Sequence, residues 1–229
     1  MPVSKFRRWA ERLVLLAGLS GIGIWAASRV STIIYQSWQS FAFECRLQQK
    51  APTLLDYAAE QGKRLIAAEE RWCGLASEPS TIAAPAAAPR PHPPRPTPRD
   101  GLVGRLVIPR LHLGEIVREG DGAGTLSVAL GHIPGTAFPG QEGNVGVAGH
   151  RDTLFRSLRS IEKNDNIQFQ TLTGSYNYRV DSVEIVKPTD VAVLAPGSKP
   201  QLTLVTCYPF YYVGAAPDRF IVKAHLVSP

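Results

Sequence analysis

The chain has 229 residues, a length that allows one sizeable folded domain with appendages or two small domains. Hydrophobic residues make up 44% of the chain and charged residues 19%, a composition that can fill a core and excludes a wholly disordered protein. The net charge of +6 divides into +3 for residues 1–28, +2 for 29–100 and +1 for 101–229. The largest segment is therefore nearly neutral, and the sequence predicts no nucleic-acid partner.

The N-terminal residues 1–36 have the pattern of a basic flank and a transmembrane anchor. Residues 13–28 carry no charge, and the apolar character resumes after Arg29. A bilayer core requires about 20 apolar residues, and an arginine near one end can extend its charge to the surface. The basic residues before this segment are Lys5, Arg7, Arg8 and Arg12. The positive-inside rule therefore predicts a single-pass protein of the cell membrane, with a cytoplasmic N-terminus and everything after Tyr35 outside.

A cleaved signal peptide is the alternative interpretation of the same residues. Sixteen apolar residues also suit the hydrophobic region of a signal peptide, and Ala26–Ser28 is an acceptable small-residue cleavage site. The apolar sequence continues past this site, which favours the anchor. Both interpretations place the rest of the chain outside the cytoplasm.

Residues 37–77 predict a helical stalk, with Ala51-Pro52 separating two helices. Cys45 and Cys73 would lie at very different distances from the turn of such a hairpin. At about 1.5 Å per residue the mismatch is about 24 Å, beyond the reach of a disulfide. We therefore expect both thiols to be unpaired in the monomer or available to another molecule. Residues 78–100 follow as a Pro/Ala-rich spacer with eight prolines in 23 residues.

Residues 101–229 change to short β-rich runs and predict a mainly β domain, a single barrel or sandwich. Three short helices fit between the runs, near residues 124–130, 153–160 and 189–194. The predicted strands are residues 105–108, 114–117, 143–148, 166–172, 175–186, 201–206 and 219–226.

Three residues at predicted strand ends carry the candidate chemistry. Cys207 ends an apolar strand, which suits a nucleophile presented by a scaffold, although a buried structural cysteine is the alternative. His150 ends the strand before Arg151 in the same way, and Arg219 opens the last strand. His132 lies in a Gly/Pro-rich loop and is a second histidine that could border a cleft. The cysteines show no spacing typical of zinc ligands, so no metal site is predicted.

The local sequences around these residues resemble the sortase family. Residues 203–207, TLVTC, are similar to the sortase signature TLxTC, and Arg219 follows within Asp-Arg-Phe at the expected short distance. The segments GHIPGT at residues 131–136 and GNVGVAGHRD at residues 143–152 resemble the upstream segments of class D and E sortases. The resemblance covers residues 101–229, with histidine, cysteine and arginine in the family's order.

This resemblance implies an eight-stranded closed β-barrel that acts as a cysteine transpeptidase. Cys207, His150 and Arg219 would be catalytic, and His132, Thr206 and Asp152 would contact the substrate. The implied partners are proteins with a C-terminal LPxTG-like sorting signal, and an acceptor amine such as a cell-envelope peptide. No cofactor is predicted, and a dependence on calcium is left open.

Two other functions remain open at the level of sequence. The first is a thiol peptidase that only hydrolyses its acyl-enzyme. The second is a catalytically silent, membrane-tethered binding module, which the presence of Cys207, His150 and Arg219 disfavours.

Overall fold

Short runs of β-branched and aliphatic residues alternate with turns from residue 102 onward, and such runs form strands with one buried face. In the computed structural model, which describes residues 3–72 and 101–228, these runs form one closed barrel. The strands are β1 (Leu102–Ile108), β2 (Leu113–Glu119), β3 (Leu130–His132), β4 (Asn144–Ala148), β5 (Asn166–Thr171), β6 (Gly174–Val186), β7 (Gln201–Tyr208) and β8 (Asp218–Ser228). Their order around the barrel is β1-β2-β3-β4-β7-β8-β6-β5, and β5 closes it against β1.

The predicted fold, a closed eight-stranded β-barrel with short helices, is confirmed. The sequence pattern predicted seven of the strands and missed β3, because Leu130 was expected to end a helix and His132 was expected in a Gly/Pro-rich loop. Helix α3 ends earlier, spanning only Ala123–Leu126. β3 has three residues, too few to show a β alternation, and it is held by pairing with β2 on one side and β4 on the other. The other two short helices are 3₁₀ turns at Arg156–Ser160 and Val191–Leu194.

Apolar side chains from all eight strands fill the barrel interior. Burying such side chains is the main favourable contribution to folding, at about 1.5–3 kcal/mol for each large one. Fully buried examples are Leu106, Val117, Leu130, Val147, Phe169, Tyr178, Leu204 and Val222. The pairing of strands around this core fixes which residues reach each end of the barrel.

Two helices precede the barrel, α1 (Val3–Leu47) and α2 (Leu54–Trp72). α1 passes without interruption through residues 36 and 37, where the anchor and the stalk were expected to meet. α2 returns along α1, and Tyr57 packs between Trp38 and Phe41 while its hydroxyl contacts the Ser37 hydroxyl at 3.0 Å. Cys45 is a free thiol, whereas Cys73 and the Pro/Ala-rich spacer lie outside the described residues.

The N-terminal part of α1 exposes its apolar side chains on all sides. Residues 11–47 are long and apolar enough to cross a membrane, and no other described helix meets the same criteria. Large apolar side chains between Leu13 and Trp25 are 49–73% exposed, which is costly for a helix in water.

The C-terminal part of α1 packs on the outside of the barrel. Phe43 is fully buried in a cluster with Leu102 and Ile116. The Gln36 side chain accepts a hydrogen bond from the Ile116 N–H at 3.0 Å, and Arg105 donates to the Glu44 carboxylate at 2.7 Å. The barrel therefore has a second, smaller apolar cluster on its outside, to which α1 contributes Phe43.

We predict that residues 101–229 fold alone but are less stable than residues 29–229. Without α1, Leu102 and Ile116 lose their cover and the Ile116 N–H loses its acceptor, which should cost about 2–4 kcal/mol. Urea unfolding followed by circular dichroism measures the difference. Phe43→Ala in residues 29–229 should reproduce most of this loss of stability. Equal unfolding free energies for the two fragments would contradict the prediction.

An acidic side chain on the core side of β2 makes the stability of the barrel dependent on pH. Glu115 pairs with Leu106 of the core, and burial raises the pKa of Glu115 to about 7. Directly opposed residues of paired strands lie on the same face of the sheet, so Glu115 shares a face with a core residue. In the folded state the carboxyl therefore stays largely protonated up to about pH 7.

We predict that Glu115→Gln stabilises the protein above pH 7. The raised pKa means that the folded state binds more protons than the unfolded state between about pH 4.5 and 7, so stability falls as pH rises through that window. The variant should gain up to about 3 kcal/mol at pH 8 and nothing near pH 4. Glu184→Gln is a control of opposite sign, because hydrogen bonds from Lys223 and Ser182 lower the pKa of Glu184. Equal pH profiles for wild type and Glu115→Gln would contradict the assignment.

Candidate active site

Strands β4 and β7 run parallel, and their carboxyl ends lie side by side. The register pairs Ala148 with Val205. One residue further, the Gly149 N–H donates to the Val205 carbonyl at 3.1 Å, and the Thr206 hydroxyl donates to the Gly149 carbonyl at 2.7 Å. His150 follows Gly149, and Cys207 follows Thr206. The two hydrogen bonds at Gly149 therefore bring the predicted histidine and cysteine to the same end of adjacent strands.

Strand β8 brings the predicted arginine to the other side of the cysteine. β7 and β8 are antiparallel, and Cys207 is paired directly with Arg219. Both residues are partly buried. The Arg219 Nη1 donates to the main-chain carbonyls of Asp218 at 3.0 Å and Ala216 at 3.4 Å, which leaves other N–H groups of the guanidinium for a ligand. The three residues thus lie on neighbouring chain segments in the order His150, Cys207, Arg219.

The turn after β4 holds His150 at the surface. His150 is exposed, and its carbonyl accepts a hydrogen bond from the Phe155 N–H at 3.1 Å. Phe155 is fully buried and fills the space next to Gly149. A Cβ on Gly149 would lie 2.6 Å from Phe155 and 2.7 Å from Leu130, so only glycine fits there. The backbone before and after the imidazole is therefore fixed by packing.

Sequence reasoning missed one arginine that joins two loops of the site. The Arg151 Nη2 donates to the carbonyls of Tyr212 at 2.8 Å and Gly214 at 3.1 Å, and the guanidinium lies 5.8 Å from the Tyr212 ring. The loop that leads from Cys207 to Arg219 is therefore tied to the residue after His150. The available signals were a charged residue directly after the candidate histidine and an aromatic run directly after the candidate cysteine.

The structure places His132 away from the surface. It is the last residue of β3 and only 1% exposed. Its Nδ1 lies 2.8 Å from the Glu119 carboxylate and its Nε2 lies 2.9 Å from the Ala137 carbonyl, while its ring stacks on Phe138. Both ring nitrogens face acceptors inside the protein. His132 therefore fixes the loop that follows β3.

The other two residues predicted to contact the substrate differ in exposure. Thr206 is 2% exposed, and its hydroxyl is used in the bond to Gly149. Asp152 is exposed in the turn after His150, and its main-chain carbonyl accepts a hydrogen bond from the Arg29 Nη2 at 3.2 Å. Of these two side chains, only that of Asp152 is open to a ligand.

Among residues 3–72 and 101–228, no group of three or more His, Cys, Asp or Glu side chains is placed to hold a metal ion.

The domain that contains this site is similar to known proteins. Residues 106–227 match the sequence profile of the sortase domain. The chain belongs to the sortase family. The resemblance drawn from the TLVTC and GHRD segments is thereby confirmed.

Relatives and solved structures of several sortase classes resemble this sortase. It is 35% identical to sortase D of Bacillus subtilis over 126 residues, which are 55% of this chain and 64% of that protein. A Clostridium perfringens sortase D5 transpeptidase superposes with a TM-score of 0.51 at 30% identity, over 56% of this chain and 79% of that one. A lid mutant of sortase A from Corynebacterium diphtheriae gives a TM-score of 0.52 at 30% identity, over 60% and 73%. The match spans less than two thirds of the length of Bacillus subtilis sortase D.

We predict that Thr206→Val lowers both stability and turnover, because it removes the hydroxyl that joins β7 to Gly149 beside His150. A buried hydrogen bond lost in this way costs about 1–3 kcal/mol. Thr203→Val is a matched control, because the Thr203 hydroxyl makes an equally buried 2.8 Å bond to the Asn144 side chain, three residues before Thr206 on β7. Thermal unfolding and Cys207 acylation rates measure the two effects. Similar acylation rates in both variants would show that the Gly149 bond does not position the site.

Proposed function

We propose that the protein is a membrane-anchored sortase that cleaves an LPxTG-like motif near the C-terminus of its substrate proteins and transfers the acyl group to an amine. The observation that supports this most is the register of β4, β7 and β8, which aligns His150, Cys207 and Arg219 at one end of the barrel. An acceptor such as an amino group of a cell-envelope peptide completes the reaction.

In the first half-reaction the Cys207 thiolate attacks the carbonyl carbon of the scissile peptide bond. A tetrahedral intermediate forms, with negative charge on the former carbonyl oxygen. The intermediate collapses to a thioester, and the C–N bond breaks. The leaving amine takes a proton from the His150 imidazolium, so His150 acts as the general acid.

The second half-reaction reverses the proton transfer. The incoming amine attacks the thioester and gives a proton to neutral His150, and the Cys207 thiolate leaves as the new amide bond forms. Without an amine, water can take the same place, so comparing the products with and without an added amine separates transfer from hydrolysis.

Arg219 stabilises the developing oxyanion and orients the substrate. Arg219 is paired with Cys207 across β7 and β8, and its guanidinium offers a planar set of N–H donors. Removing one oxyanion donor costs about 3–4 kcal/mol in related mechanisms. Asp152 is exposed beside His150, and we propose that it contacts the substrate directly. His132 and Thr206 are buried, so we assign their effect on substrate binding to the loop and the strand that they hold.

The proposed topology follows from the charge pattern and from α1. The basic flank stays in the cytoplasm, residues 13–28 cross the membrane and the barrel lies outside. We propose four regions: an anchor at residues 1–36, a helical stalk at 37–77, a spacer at 78–100 and a catalytic domain at 101–229. The exposed apolar surface of α1 supports a lipid environment for its first half.

The test of this function compares His150→Ala with His132→Ala. We predict that His150→Ala abolishes thioester formation and keeps the unfolding temperature, because the side chain is exposed and is the proton donor. His132→Ala should retain acylation but weaken peptide binding and lower the unfolding temperature, because it leaves the Glu119 carboxylate and the Ala137 carbonyl without their ring partner. An LPxTG-type peptide library, mass spectrometry of the thioester and KM values provide the measurements.

Cys207→Ser serves as the inactive reference in the same assays. Retained acylation in His150→Ala, with loss in His132→Ala, would reverse the assignment of the two histidines. If wild-type protein forms no thioester with any library peptide, the proposed function is wrong.

A further inference from the structure

Helix α1 contacts the barrel along one face, directly next to the proposed active site. Arg29, Thr32 and Gln36 are spaced by three and four residues and therefore lie on the same side of the helix. Each donates a side-chain hydrogen bond to a main-chain carbonyl of the barrel. The bonds run from Arg29 to Asp152 at 3.2 Å, from Thr32 to Ser127 at 3.1 Å, and from Gln36 to Val128 at 2.6 Å.

These three contacts serve loop carbonyls at one rim of the barrel. Ser127 and Val128 precede β3, and Asp152 follows β4. β3 and β4 are paired antiparallel, so the start of β3 and the end of β4 lie at the same rim. α1 therefore crosses the rim at which His150 leaves β4.

A cavity of about 420 Å³ lies between the helix and this rim, and we call it the His150 cavity. The helix contributes Trp25, Arg29 and Thr32 to its lining, and the turn after β4 contributes His150, Asp152 and Thr153. The proposed general acid thus shares a cavity with side chains of the proposed membrane anchor.

We propose that the anchor helix is part of the active site, and that Arg29 is a positioning residue for the catalytic histidine. This inference rests on the proposed function. The turn that carries His150 is held at four points: Gly149 is bonded to β7, the His150 carbonyl to Phe155, the Arg151 side chain to the loop after β7, and the Asp152 carbonyl to Arg29. Of these four, the bond from Arg29 is the one that comes from outside the barrel domain.

The geometry explains why Arg29 matters more than an ordinary surface contact. A proton-transfer group must stay within hydrogen-bond reach of the reacting atoms, and a displacement of about 1 Å can cost about 100-fold in rate. Asp152 is two residues from His150, so the direction of the imidazole follows the position of this turn. Residues 13–28 span about 24 Å as a helix, which places Trp25 and Arg29 at the outer surface of a bilayer. The histidine is then held at the membrane surface by the anchor itself.

The test uses the full-length chain in lipid nanodiscs, with Arg29→Ala, Arg29→Lys, Glu44→Ala and His150→Ala. Glu44→Ala is the matched control, because Glu44 also joins α1 to the barrel through an ionic bond, to Arg105, but lies about 22 Å further along the helix. The first readout needs no substrate. It is the rate at which iodoacetamide alkylates Cys207 at pH 7, measured on the Cys207 peptide by mass spectrometry, because a nearby imidazolium stabilises the thiolate. The second readout is kcat and KM with the LPxTG-type peptide.

We expect Arg29→Ala to slow alkylation and to lower kcat about 10-fold, with a smaller rise in KM, because the displaced turn carries Asp152 as well as His150. Arg29→Lys should recover part of the loss, since lysine retains one charged donor, and Glu44→Ala should behave as wild type. If Arg29→Ala matches wild type while His150→Ala slows alkylation, the inference is wrong and the proposed catalytic pair stands. If Arg29→Ala and Glu44→Ala lower the alkylation rate and kcat equally, helix docking in general is responsible and Arg29 has no positioning role. If His150→Ala itself leaves alkylation unchanged, the imidazole does not act on the free thiol and the inference is wrong, whereas a wild-type protein that forms no thioester would refute the proposed function.

Discussion

The geometry of the whole site depends on the two hydrogen bonds at Gly149, which fix the position of His150 relative to Cys207. They join the carboxyl ends of two parallel strands that are more than fifty residues apart in sequence, and parallel strands have no hairpin to fix their register. The register must instead come from packing, and Phe155 and Leu130 leave no room for any side chain at Gly149. A thiol and an imidazole can cooperate only if their separation is held within a fraction of an ångström. The barrel provides this by closing around a continuous apolar core.

The position of Arg29 and Arg151 at the same rim explains their hydrogen bonds. Loops at the end of a barrel expose main-chain carbonyls that the strands no longer pair, and each such carbonyl requires a donor. Arg151 supplies donors to the loop after Cys207, and Arg29 supplies one to the turn after His150. A guanidinium is suited to this because it has five donors in one plane. The loops are thus ordered by side chains rather than by further strands.

Local sequence patterns predicted the features that depend on neighbouring residues. β7 was expected at residues 201–206, because Leu202 and Leu204 alternate with the polar residues Gln201 and Thr203. The strand spans Gln201–Tyr208. Features that depend on distant residues were not predictable in this way. The docking of α1 joins residues separated by 61 to 123 positions, and no periodicity indicates such partners. His132 was placed in a loop because of its glycine and proline neighbours, whereas its burial depends on Glu119, thirteen residues earlier.

The uninterrupted course of α1 has a consequence for the lipid around it. The apolar segment exposes similar side chains on every side. The match between its length and the bilayer thickness would therefore fix its depth, whereas the lipid would not resist rotation about the helix axis. If α1 crosses the membrane as proposed, the height of the catalytic rim is set by the number of residues in one helix, in steps of about 1.5 Å. A thicker bilayer would draw the rim toward the headgroups, and a thinner one would lift it away. Hydrocarbon thickness would then be a variable of the reaction, as much as temperature or pH.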